Sequence, residues 1–256
     1  MRTRGHPFLW TLLSFAIVFA AWELTVRLFA MPEYLLPGPE PVFVALAQNI
    51  KTLAAQSVWT AATVLAGFLV AAGFAIPLAM LIVISPVLER LLYPPMVATQ
   101  SIPKIALAPL FIVWFGFGVA PKVAVAFLIA FFPIVIDTIV GLRSIDPAMI
   151  QLARSMGAPP YRIFLKLRLP HALPMIFGGL KVASALAVVG ALTGEFVGSD
   201  RGLGYILVQA SGNLNTALLF ATLVILSAMA MAFFYLVEML ERIAIPWHAS
   251  QRVHPH

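Results

Sequence analysis

The sequence predicts an all-helical, polytopic membrane protein, and three observations carry that prediction. Of the 256 residues, 62% are hydrophobic and only 10% charged, where a soluble domain carries about 25% charged residues. The mean hydropathy is +0.99. The apolar residues also lie in long runs, most of them at or beyond the roughly 20 residues that cross a hydrocarbon core. These runs predict six transmembrane helices, at about 8–29, 57–84, 91–117, 121–142, 175–194 and 217–237, with one long polar interruption at 143–174. The absence of cysteine excludes disulfides and thiolate metal sites. A formal charge of +6 would suggest nucleic acid for a soluble chain. Here the partner is the lipid bilayer, no nucleic acid is expected, and the placement of the charges decides their meaning.

The first span follows Arg2, Arg4 and Pro7. It has the outline of a secretory signal, but Leu28 stands where a cut before Met31 needs a small residue, so an uncleaved helix is expected. Glu23 and Arg27, four apart, can pair near its outer end. Residues 31–41 hold too many prolines for a helix and read as an extended strap. From Pro41, the apolar residues Val42, Ala45, Leu46, Ile50 and Leu53 predict an amphipathic helix lying at the surface.

The second span contains no charge, and Gly67, Ala71 and Ala75 form a row of small residues that lets another helix approach closely. The third contains Pro94, Pro95, Pro103, Pro109 and Lys104. Irregular backbone at membrane depth survives only against protein or a water-filled cavity, so this span is expected to face the interior of an assembly. A tight Gly116-Phe117-Gly118 turn leads to the fourth span. The fifth carries two more rows of small residues, Gly190 with Gly194, and Gly179 with Ala183 and Ala187. A glycine-punctuated outer loop over 195–206 precedes the sixth.

The polar interruption has legible local structure. Asp146 is a helix N-cap with Pro147 at the first helical position. Met149, Leu152, Ala153 and Met156 then form one apolar stripe, and Gly157 can take the left-handed conformation that ends such a helix. Pro159 and Pro160 open a second short helix, in which Tyr161, Phe164 and Leu165 alternate with Arg162 and Lys166. Two short helices about a glycine bend make a docking knob.

Residues 151–170 resemble the cytoplasmic signature of permease subunits in binding-protein-dependent ATP-binding-cassette importers. That pattern is Glu-Ala-Ala, three residues, Gly, nine residues, Ile-x-Leu-Pro. Ala153, Gly157, Leu169 and Pro170 match it, Leu167 replaces the isoleucine, and Gln151 and Leu152 depart from the Glu-Ala start. The Leu36-Pro37-Gly38-Pro39 strap, residues 101–117 and the Gly202-Leu203-Gly204 loop are similar to segments of the nitrate, sulfonate and taurine branch. The resemblance implies that Gln151, Ala153, Arg154, Met156, Gly157, Tyr161, Leu169 and Pro170 couple the chain to a cytoplasmic ATPase. It further implies two permease copies as a homodimer, two ATP-binding subunits and an external solute-binding protein, in a bacterial inner membrane. Nitrate, sulfonates, taurine and pyrimidine precursors of thiamine all fall within the branch, so a small anionic solute is expected.

Charge placement orients the six spans. With the N-terminus inside, the inner segments hold Arg2, Arg4, Arg90, Arg143, Arg154, Arg162, Lys166, Arg168, Arg242 and Arg252, against Arg27, Lys51, Lys122 and Arg201 outside. This bias puts both termini and the knob in the cytoplasm. The chain has no GxxxxGK[ST] phosphate loop, no HExxH pair and no Gly-x-Ser-x-Gly elbow. No catalytic, cofactor or metal residue is therefore expected, and ATP hydrolysis falls to a partner chain. Charges at membrane depth cost about 3 kcal/mol each if unpaired, which singles out Lys104, Asp137 and Glu195 as translocation-path candidates and leaves Lys181 within a span. Lys104, beside a proline break, suits a cavity for an anion. Asp137 and Glu195 fit interfacial positions as well. An ion-gradient carrier is the competing reading, though such carriers break helices in corresponding halves and only the third span is broken here.

Overall fold

The computed structural model describes residues 7–247; Arg2, Arg4, His6, His248, Arg252, His254 and His256 lie outside them. Ten α-helices run in order through these residues, with no strand among them. Four are individually long and apolar enough to cross a membrane, and a bent pair would make a fifth span.

Helix α1 (Pro7–Leu28) touches the rest chiefly near its end. There the Trp22 ring stacks on Phe220 at 5.9 Å, and its Nε1 donates to the Pro37 carbonyl at 3.1 Å. Glu23 and Arg27 pair as their spacing requires. Trp10, Phe15 and Ile17 remain exposed, as suits a lipid-facing helix.

Helix α2 (Pro39–Ile84) departs from expectation. Gly38 and Pro39 start it, and it then runs 46 residues without interruption, so the surface helix and the second span are one element. The reason is in the chain: no glycine or proline occurs between Pro41 and Gly67, and the polar residues Asn49, Lys51 and Gln56 do not stop a helix. At 1.5 Å per residue it is about 69 Å long, well over twice the hydrocarbon core.

The third span is also built differently from the expectation. Helix α3 (Pro86–Thr99) is capped by Ser85 and contains Pro94 and Pro95 without ending. A 3-10 turn (Lys104–Leu107) and helix α4 (Ala108–Phe115) follow at 91° to it. Only the Pro103 region breaks the chain, because Pro109 sits in the first turn of α4, where its missing N–H is not needed. Gly116 at φ 74° and Gly118 at φ 141° form the turn into α5 (Val119–Arg143).

The core is a three-helix seam of α2, α5 and α8 (Leu169–Gly198). Glycines bring the backbones together. A Cβ on Gly67 would lie 2.5 Å from the Ala126 Cβ, and one on Gly190 would lie 2.6 Å from the Ala126 Cα. All three small-residue rows are thus packing seams against α5, where Gly179 meets Asp137. Helix α10 (Thr216–Ala244) closes one side of the seam. The expected outer loop instead contains α9 (Leu203–Gly212), whose Leu203, Gly204, Ile206, Leu207 and Ala210 are buried against the core.

Candidate functional site

Helix α6 (Pro147–Ser155) begins as its sequence dictates, with Asp146 accepting from the Ala148 N–H at 2.8 Å. It ends on Gly157 at φ 78°, with the Ala158 N–H reaching back to the Ala153 carbonyl at 3.0 Å. That is a Schellman closure, which satisfies the last carbonyls of the helix. The stripe points away from the bundle: Met149 is 51%, Leu152 63% and Met156 78% exposed. Gln151 and Arg154 are exposed beside them and Ala153 is half-buried.

The second knob helix does not stand alone. Helix α7 (Pro160–Ile163) passes through a π-turn (Phe164–Arg168) directly into α8, and the whole runs from Pro160 to Gly198. Pro170 lies in the first turn of α8, and Pro174 inside it, without breaking it. Leu169 packs on the Leu142–Ala172–Ile176 cluster, while Tyr161 is 59% exposed. The residues named for coupling therefore divide. Gln151, Arg154, Met156 and Tyr161 are exposed, Leu169 packs on the bundle, Ala153 and Pro170 are half-buried, and Gly157 bends the knob.

The embedded charges do not meet in one place. Lys104 Nζ sits 4.6 Å from the centre of the Phe132 ring on α5, a cation–π contact that keeps a half-buried ammonium stabilised. Asp137 lies further along α5, its Cβ against Gly179 of α8. Glu195 lies about 24 Å along α8 from Gly179 and is only 2% exposed. Its carboxylate accepts from Thr60 at 2.8 and 3.1 Å and from the Gly204 N–H at 2.7 Å. The Thr60 hydroxyl oxygen in turn accepts from the Leu203 N–H at 2.8 Å, and Gln56 accepts from Gly202 at 2.6 Å. Three polar side chains of α2 and α8, Gln56, Thr60 and Glu195, thus satisfy the otherwise orphan amides that open α9.

Sequence reasoning missed two pairings. Lys181 of α8 bridges Glu241 of α10 at 2.8 Å, both mostly buried. Lys122, assigned to the outer side, is buried and donates to Ser199 at 2.6 Å. Each partner is 60 or more residues distant, so no local pattern could reveal it.

Residues 71–246 match the family described as the binding-protein-dependent transport system inner membrane component. The chain belongs to this family. This permease is 35% identical over 257 residues to the formylaminopyrimidine transport permease ThiX of Halalkalibacterium halodurans, covering 97% of the chain and 99% of that protein. It is 30% identical over 242 residues to the aliphatic sulfonates transport permease SsuC, putative by name, of Bacillus subtilis, covering 92% and 86%. Its fold is like that of a chain of the MetNI methionine ABC transporter solved in inward-facing conformations, with a TM-score of 0.64, 23% identity, and 75% and 95% of the two chains covered. The chain is a multi-pass permease subunit of the ATP-binding-cassette importer class, and this sets aside the ion-gradient carrier.

Proposed function

We propose that the α6–α7 knob docks on a cytoplasmic ATP-binding subunit and that hydrolysis there drives solute through a path formed by two copies of this chain. The single observation that carries this reading is the outward stripe of Met149, Leu152 and Met156, an apolar face that nothing among the described residues covers. Counting α1 and the bent α3–α4 pair as spans gives six, which would set the knob on the same side as both termini, the cytoplasmic side by the Lys and Arg bias. An external solute-binding protein delivers the solute.

Lys104 supplies the cation for an anionic solute. It forms no ion pair among the described residues and stands where the third span breaks. A formylaminopyrimidine-like solute is the second reading, favoured by the higher identity to ThiX. Competition for uptake between taurine, an aliphatic sulfonate and formylaminopyrimidine separates the two.

The deciding experiment is co-purification of the tagged chain with its ATP-binding subunit, for wild type and Gly157→Val. Valine resists φ 78°, and a Cβ at Gly157 meets nothing within 4 Å, so the substitution distorts the bend without a clash. Wild type should recover the subunit and the variant should insert but lose it. Equal recovery and equal uptake would remove the bend from the mechanism.

A further inference from the structure

A cavity of about 670 Å³ lies under the knob, between the end of α2, helix α6 and the π-turn. Its wall is largely apolar, with Ile84, Ile150, Ile163 and Phe164, and Arg154 and Arg168 supply its cationic groups. A second cavity of about 320 Å³ shares Ile150 and both arginines, so the two guanidinium groups mark the junction of an apolar groove and a polar one.

The arginines lack a counter-charge. Residues 147–174 contain four basic side chains and no Asp or Glu. Among the described residues, the ion pairs of Arg27, Arg143, Lys181, Arg201 and Arg242 leave Arg154 and Arg168 out. The π-turn helps to aim them. Its extra residue per turn puts Phe164, Leu165 and Arg168 on the cavity together with Tyr161 of α7. The groove starts at the end of α2, where Ile84 closes a helix long and apolar enough to cross a membrane and is itself 60% exposed.

We infer that this groove binds an anionic phospholipid, its phosphate held between Arg154 and Arg168 and an acyl chain against Ile84, Ile150 and Phe164. Basic pockets beside transmembrane helices at a membrane surface have this chemistry, and arginine matches a phosphate with paired N–H donors. An acidic side chain of a partner protein would satisfy the arginines equally but would leave the apolar wall uncovered. The inference stands on the membrane reading, not on ATPase docking, and it is tested on the permease purified alone.

The full-length chain in detergent would be titrated with phosphatidylglycerol and with phosphatidylcholine of the same acyl chains, and bound lipid read by native mass spectrometry. Wild type should prefer phosphatidylglycerol. Arg154→Gln with Arg168→Gln should weaken that binding roughly 30-fold, about fivefold per arginine, while Arg162→Gln with Lys166→Gln, outside both cavities, should change it less than threefold. Wild type that binds both lipids equally would overturn the proposal without any variant. So would displacement of the lipid by inorganic phosphate alone, which marks a free-anion site. If the Arg154 and Arg168 variant keeps its preference for phosphatidylglycerol, the arginines do not hold the phosphate and the lipid assignment falls.

Discussion

Glu195 shows how much a single buried residue can hold in place. Its carboxylate fills the position that opens α9, and the glycines on either side of Leu203 exist to admit it. A Cβ on Gly204 would lie 2.6 Å from the Glu195 Cβ and 2.9 Å from Oε2. Gly204→Ala should therefore lower stability by about 1–3 kcal/mol through overpacking. Gly178→Ala, on the same scaffold with nothing within 4 Å, should be neutral or mildly stabilising. Thermal unfolding in detergent compares them, and equal midpoints would contradict the packing. Lys104 stands outside this network. Lys104→Ala removes only a cation over Phe132, so uptake of an anionic solute should fall at least tenfold while insertion and assembly persist. Unchanged uptake kinetics would take Lys104 out of the path.

Among the elements, the link between α8 and α10 is the most exposed to test. Removing one partner of the Lys181–Glu241 pair strands a charge away from water, which costs about 3–5 kcal/mol, whereas replacing both by apolar residues is often neutral. Glu241→Leu alone should unfold early, and the Lys181→Met, Glu241→Leu double variant should regain most of the loss. Additive losses would show that the two side chains do not stabilise each other. This pairing was illegible in the sequence, because hydropathy marks which helices enter the membrane but not which faces meet. Local signals did better. The Asp146 and Pro147 start and the Gly157 stop of α6 stand where the residues put them, since capping depends on neighbours four or five positions away. The boundary of α2 was misread because Lys51 and Gln56 look like a membrane edge, although charge alone does not end a helix. The buried α9 was misread as a loop because its glycines signal a turn, whereas Gly202 and Gly204 make room for Glu195.

For the whole molecule, the membrane class and the helical fold were legible from composition and order of segments. The bends and polar pairings that join the segments were not. Orientation can be tested directly because the chain has no cysteine of its own. Met156→Cys, at a position 78% exposed, should react with an impermeant maleimide only from the cytoplasmic face. Leu214→Cys, at a position 68% exposed beyond α9, should react only from outside. Labelling of both from one side would reverse or break the six-span arrangement.

The unbroken run from Pro160 to Gly198 has a mechanical meaning of its own. Its 39 residues make a stiff lever about 58 Å long, with the knob at one end and Glu195 near the other. A tilt of about 5° about the knob end would carry the far tip through roughly 5 Å. That is more than the tolerance of hydrogen bonds between 2.7 and 3.1 Å, so a small push at the knob would have to drag α9 with it or tear it loose.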